Sequence, residues 1–161
     1  MKPVIYLCPH NDFHFEQDDA SCRTIAALAP DYEVVVGDRM MVPQALAARV
    51  EVLFGSPGKA ALASLSNLKW LQLPSAGCDA YLDRSEYAAK DVILTTANGV
   101  YGIPISEHIL ACFFALMRFL PKYRDDMRRK SWVKYFPHCD FEGSVVGIIG
   151  LGDIGGRLAQ K

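Results

Sequence analysis

No excess of either charge marks this sequence: seventeen Lys and Arg against eighteen Asp and Glu leave a formal charge of −1 over 161 residues. That balance gives no long-range field to draw in nucleic acid or an anionic membrane, so recognition has to be local, and neither partner is expected. Long hydrophobic runs are also missing. The longest, residues 109–117, ends at Arg118, well short of the ~20 residues a membrane-crossing helix needs. Met1-Lys2-Pro3 leads straight into Val4-Ile5-Tyr6-Leu7 without the small-residue cleavage site of a secretory signal. Cysteine is scattered and odd in number: Cys8, Cys22, Cys78, Cys112 and Cys139 contain no Cys-x-x-Cys, which argues against a disulfide framework or a zinc site and for a reducing cytoplasm. Repeats and low-complexity stretches are absent, and 51% hydrophobic with 22% charged residues excludes disorder as a description of the whole chain.

The first hundred residues carry five short aliphatic or β-branched runs, at 4–8, 32–36, 50–54, 69–73 and 92–95. Continuous apolar runs of this length suit strands buried on both faces. Between them, 19–28, 43–49 and 58–65 are rich in Ala and Leu, with Pro43 suited to a first helical turn and Gly55-Ser56-Pro57-Gly58 separating strand from helix. The alternation predicts an α/β fold, a doubly wound parallel sheet whose ligand cleft lies beyond the carboxyl ends of its strands.

From Ile103 the pattern changes. Ile105, Ile109, Leu110, Cys112, Phe113, Leu116, Phe119 and Leu120 are apolar on nearly every side of a helix that Pro104 can start, which predicts a buried helix broken at Pro121. Residues 122–134 set Lys122, Arg124, Arg128, Arg129, Lys130 and Lys134 against Asp125 and Asp126, a basic surface helix. Only Tyr123 and Trp132 interleave aromatically, so a solvated helix or subunit arm is the plainer reading than a phosphate or nucleic-acid contact.

Residues 144–149 read as a strand that runs directly into Gly150-Leu151-Gly152-Asp153-Ile154-Gly155, a G-x-G-x-x-G opening a helix. In such a turn Gly150 permits the tight bend, Gly152 lets backbone approach a pyrophosphate, and Gly155 lets the helix pack closely. The motif also calls for an acidic residue about 20 positions on and for further strands. The chain is therefore expected to begin a dinucleotide-binding domain and stop within its first helix.

Taken together, four segments in order make the chain resemble the D-isomer-specific 2-hydroxyacid dehydrogenases, a family that includes phosphoglycerate, glycerate or hydroxypyruvate, formate and D-lactate dehydrogenases. They are residues 68–79 with Pro74-Ser75-Ala76-Gly77-Cys78-Asp79, residues 95–108 with Asn98-Gly99-Val100-Tyr101 and Glu107-His108, Trp132, and residues 140–155. The resemblance covers essentially the whole chain. It implies a flavodoxin-like substrate domain over 1–100, followed over 101–161 by the start of a Rossmann domain that binds NAD or NADP. It further implies that Ser75, Ala76 and Gly77 hold the carboxylate of a small 2-hydroxy or 2-oxo acid. Tyr101 would lie at the crossing beside the nicotinamide, and Gly150, Gly152, Asp153, Ile154 and Gly155 would hold the cofactor's pyrophosphate.

The Arg, Glu and His that the family uses for chemistry match nothing here and are expected beyond Lys161, so no catalytic residue is assigned in this chain. The chain alone is expected to be catalytically silent and to bind dinucleotide poorly. His108 reads as a satisfied or interface histidine, and Cys78 as a packed thiol. Cys8, His10 and His14 suggest a metal by spacing but lack a fourth partner, and no metal is assigned. The family also implies a homodimer formed through 105–132. The alternatives to an NAD(P)-dependent oxidoreductase are a non-catalytic remnant or small binding module that keeps the flavodoxin-like domain, and a phosphate-sensing regulator using the basic segment.

Overall fold

The computed structural model describes residues 1–8 and 19–161. His10 and His14 lie outside the described residues. The chain forms two compact units, Met1–Asn98 and Gly99–Lys161.

The first unit is a five-stranded sheet of β1 (Val4–Cys8), β2 (Glu33–Val36), β3 (Val50–Gly55), β4 (Trp70–Gln72) and β5 (Ile93–Thr95), in the order β2-β1-β3-β4-β5. Every pairing is parallel. This is the flavodoxin-like doubly wound order, whose winding reverses between β1 and β3. All five residues of β1 are buried, because a central strand covered on both faces has no side on which a polar residue meets water. On one face Val4, Tyr6 and Cys8 join Leu53, Leu71 and Leu73, while on the other Ile5 and Leu7 meet Cys22 of α1 (Ala20–Leu28).

Asp19 caps α1, its carboxylate accepting from Cys22 N–H at 2.7 Å. α2 (Gln44–Ala47) and α3 (Lys59–Leu62) are single turns, shorter than the sequence pattern suggests. Pro43 stands at the N-cap of α2 rather than inside it, its carbonyl taking the Leu46 and Ala47 N–H groups. After α3, Ser64 Oγ donates to Ala61 O at 2.7 Å, a local bond that competes with helix continuation, and Leu65 and Leu68 turn into the core.

The second unit departs further from expectation. α4 (Gly102–Met117) exists, but only Gly102 and Ser106 are buried on it, and Leu116 is 70% exposed. One face rests on α6 (Asp153–Gln160), and Phe114 meets Phe141 with ring centroids 5.2 Å apart. No other described layer of this unit covers the rest, so all-round hydrophobicity does not produce burial. The helix ends at Met117, before Pro121, and Phe119 beyond it takes a left-handed backbone (φ 53°). Pro121 instead lies in the first turn of α5 (Leu120–Arg128), where its missing N–H costs nothing. The basic segment is helical only to Arg128; Lys130 turns with φ 53°, and Tyr135 folds back to hydrogen-bond Asp126 and pack on Tyr123.

Residues 144–149 form no strand, because a strand is completed by a ladder partner and no described segment of this unit supplies one. Leu110, Phe113, Phe141, Val146, Ile148 and Leu158 instead line an apolar hollow of about 290 Å³. No single helix among the described residues is long and apolar enough to cross a membrane.

Candidate functional site

In the first unit the carboxyl ends of the strands converge on a cluster of polar groups. The loop after β4 holds Ser75, Ala76 and Gly77. Ser75 Oγ donates to Gly77 O at 2.7 Å, and Ser75 O accepts from Ala97 N–H at 2.9 Å, which pins the loop to the end of β5. The exposed N–H groups of Ala76 and Gly77 make no hydrogen bond within the described residues. Successive free N–H groups at a strand end are an arrangement that accepts an anion. A Cβ added at Gly77 would meet only Asp79 Oδ2, at 3.9 Å. Glycine is therefore not demanded by packing here, and what it provides is clear approach to the backbone.

Beside this loop the short 3-10 turn at Asp79–Tyr81 brings the Tyr81 hydroxyl to Pro57 O at 3.2 Å, and Tyr87 OH donates to Tyr81 O at 2.9 Å. Ser56 lies beside both Tyr81 and Cys8, where it favours their ionised forms against the effect of burial. Burial pushes the Cys8 thiol up to about 12, against a lowering by Arg39. Cys8 therefore stays protonated at neutral pH and is no nucleophile. Burial also raises the Tyr6 and Tyr81 hydroxyls. Sequence reading did not single out Arg39, Ser56 or Tyr81. The only signal for them was position, since Arg39 and Ser56 each follow a strand at its carboxyl end.

In the second unit the glycine-rich turn is formed, although the strand before it is not. Gly150 has φ 93°, a backbone that side chains resist. Gly152 caps α6 with no side-chain hydrogen bond, and a Cβ there would meet nothing within 4 Å. At Gly155 the same atom would lie 2.0 Å from Gly150 O and 3.2 Å from Ile148 Cγ2. The bend, the open approach and the close packing are thus divided among the three glycines as the motif suggests.

Asp153 does not stand free for a phosphate. Its carboxylate accepts from Arg157 Nε at 2.7 Å, and a Cβ built on buried Gly102 would lie 2.4 Å from its Oδ2. Ile154 is partly exposed in the same turn. Tyr101, the N-cap of α4, immediately precedes Gly102, so the chain places it at the α6 end of its helix. The turn itself fits a diphosphate, with open backbone at Gly152 and the positive end of a helix behind it. His108, on the exposed side of α4, has Nε2 3.5 Å from Cys112 Sγ. Among the described residues no group of three His, Cys, Asp or Glu can hold a metal.

Residues 110–161 match the family described as D-isomer specific 2-hydroxyacid dehydrogenase, NAD binding domain. The glycerate dehydrogenase of Methylorubrum extorquens is 27% identical over 139 residues, which cover 81% of this chain and 44% of that protein. The D-3-phosphoglycerate dehydrogenase of Bacillus subtilis is 29% identical over 98 residues, 60% of this chain and 18% of the relative. Among solved structures, a D-isomer specific 2-hydroxyacid dehydrogenase family protein from Aeromonas salmonicida superposes with a TM-score of 0.79 at 26% identity, covering 99% of this chain and 49% of its own. A family structure from Xanthobacter autotrophicus in complex with NADPH and MES shares the fold, with a TM-score of 0.68 at 21% identity, covering 99% of this chain and 49% of its own. The chain spans about half the length of the Methylorubrum and Aeromonas proteins. A parallel sheet wound as theirs, a glycine turn in the region that the family's NAD-binding domain matches, and likeness along nearly all its length make this chain similar to the D-isomer specific 2-hydroxyacid dehydrogenases.

Proposed function

We propose that the chain provides the substrate-carboxylate loop and the pyrophosphate turn of an NAD- or NADP-dependent oxidoreductase that interconverts a D-2-hydroxy acid and its 2-oxo acid. The observation that carries this reading is the pair of unengaged N–H groups at Ala76 and Gly77, at the carboxyl edge of a doubly wound sheet. Residues 1–100 serve as the substrate domain, and 101–161 open the dinucleotide-binding domain.

The carboxylate of the acid sits on the Ala76 and Gly77 N–H groups, which orient its carbon skeleton. The helix α6 N-terminus and the open backbone at Gly152 hold the diphosphate, with Gly150, Asp153, Ile154 and Gly155 shaping the turn and Tyr101 lining the approach. Bound nicotinamide supplies or accepts the hydride. No described side chain is assigned the role of acid or base, and the contribution proposed for this chain is binding and orientation, which accelerate reaction by fixing the partners in place.

Two further features belong to this reading. The exposed apolar residues Phe114, Leu116, Leu120, Met127 and Trp132 favour self-association through 105–132 into a homodimer. The scattered free cysteines suit a reducing cytoplasm.

The test is NADH- and NADPH-dependent reduction of glyoxylate and hydroxypyruvate by the protein isolated from its natural source, beside titration of the 161-residue chain with NADH. Turnover by the isolated protein supports the reading. Binding of the 2-oxo acid without turnover would instead assign a binding module.

A further inference from the structure

Arg39 follows β2 in a loop that crosses the carboxyl edge of the sheet. Its carbonyl accepts from Gly58 N–H at 2.8 Å, and a Cβ on Gly58 would lie 3.2 Å from Met40 Sδ. The loop after β2 is thereby fastened to the loop after β3, over the point between β1 and β3 where the winding reverses. Ligands of open α/β sheets bind at such a point.

Arg39 is half-buried as a residue, and its guanidinium, within electrostatic reach of Cys8 and Tyr81, makes no hydrogen bond or ion pair among the described residues. The obvious counter-ion is committed elsewhere. Asp38 Oδ1 accepts from the Met40 and Met41 N–H groups at 2.6 and 3.0 Å, closing its own turn. Three other cations of this unit are paired, Arg49 with Glu33, Lys59 with Glu86, and Lys69 with Glu51. An unpaired guanidinium at the carboxyl edge of the sheet is open to an anion, and its planar fork matches a carboxylate or phosphate.

The position of Arg39 relative to the substrate loop narrows the ligand. Tyr81 lies within the electrostatic reach of Arg39 and is tied by its N–H to Cys78 O at 2.8 Å, directly after Gly77. Arg39 and the Ala76 and Gly77 N–H groups therefore share one edge of one unit, with Tyr81 between them. We propose that Arg39 is a specificity-determining residue that binds a second anionic group, carboxylate or phosphate, of a 2-hydroxy acid whose own carboxylate lies on Ala76 and Gly77. The inference rests on the substrate reading of that loop.

Isothermal titration of the 161-residue chain with glycolate, tartronate and 3-phosphoglycerate tests it, in the wild type and in Arg39→Gln, Arg39→Lys and Gly77→Val. A thermal-unfolding scan of each variant verifies folding. The wild type should prefer at least one of the two probes that carry a second anionic group over glycolate by roughly tenfold or more, the worth of one charge-assisted contact. Tartronate against 3-phosphoglycerate then tells which anion the fork takes. Arg39→Gln should erase the preference while leaving glycolate affinity unchanged, and Arg39→Lys should restore part of it. An unchanged preference in a folded Arg39→Gln overturns the proposal even if Gly77→Val abolishes glycolate binding. Glycolate binding that survives Gly77→Val overturns the loop reading, and the two-point placement with it.

Discussion

Asp153 and Arg157 form an ion pair at 2.7 Å within the first two turns of α6, and the pair lies over the backbone of Gly102. A carboxylate at the start of a helix is stabilised by the same partial positive charge that attracts a phosphate. The glycine turn thus carries its own competing anion, held to one side by Arg157. Replacing Asp153 with Asn should raise NADH affinity by roughly two- to fivefold, the worth of one charge at a helix end. Arg157→Gln should lower it, because the carboxylate loses its partner. Fluorescence titration at two salt concentrations checks both, and the differences should shrink at the higher one.

The two tight glycines of the second unit should respond differently to a methyl group. At Gly155 the added carbon meets backbone, 2.0 Å from Gly150 O, whereas at Gly102 it meets the Asp153 and Arg157 side chains. Side chains at a partly exposed pair can rotate away, but a carbonyl in a φ 93° turn cannot. Gly155→Ala should therefore destabilise this unit by about 1–3 kcal/mol, and Gly102→Ala by less. Urea unfolding followed by circular dichroism ranks them, and equal midpoints would contradict the close packing of the turn.

The sheet was legible because its information is local. A run such as Val4-Ile5-Tyr6-Leu7-Cys8 has no polar side to show water, and all five residues prove buried. Gly150 and Gly155 were legible for the same reason, since a positive φ and a 2.0 Å approach exclude side chains at the residue itself. What could not be read depends on neighbours. The apolar α4 stays largely exposed because burial is a property of what packs on it, and residues 144–149 stay outside any ladder because a strand needs its partner. Arg39 left no trace in the pattern either, as its interest lies in the lack of a partner after the loops have folded.

Thiol chemistry should sort the five cysteines by depth. Cys112 and Cys139 are exposed, Cys78 is half-buried, and Cys8 and Cys22 are buried. N-Ethylmaleimide at neutral pH should label the first two fastest and Cys78 more slowly. Cys8 and Cys22 should react only through unfolding, because attack requires both access and thiolate. Peptide mapping by mass spectrometry with and without urea reads the order. Rapid labelling of Cys8 in the native protein would contradict its placement in β1.

Alkaline pH should destabilise the first unit, and the direction follows from Cys8. Burial holds its thiol at about 12 in the folded chain, against 9.0 ordinarily. Between these values the unfolded state has lost the proton that the folded state keeps, so unfolding releases protons and becomes easier as pH rises. The contribution of Cys8 is whole below pH 9.0 and disappears toward 12, at up to about 1.4 kcal/mol per pH unit in between. Tyr6, Tyr81 and Tyr87, all raised chiefly by burial, act in the same direction at the upper end of that window. Urea midpoints measured from pH 8 to 11, about one unit below to two units above the ordinary thiol value, should therefore fall most steeply above pH 9.0. Cys8→Ala should flatten the first part of the fall, after an initial cost from the space it leaves. A wild-type midpoint that does not change over this range would show that the thiol is solvated, and would remove Cys8 from the buried edge on which the candidate site is built.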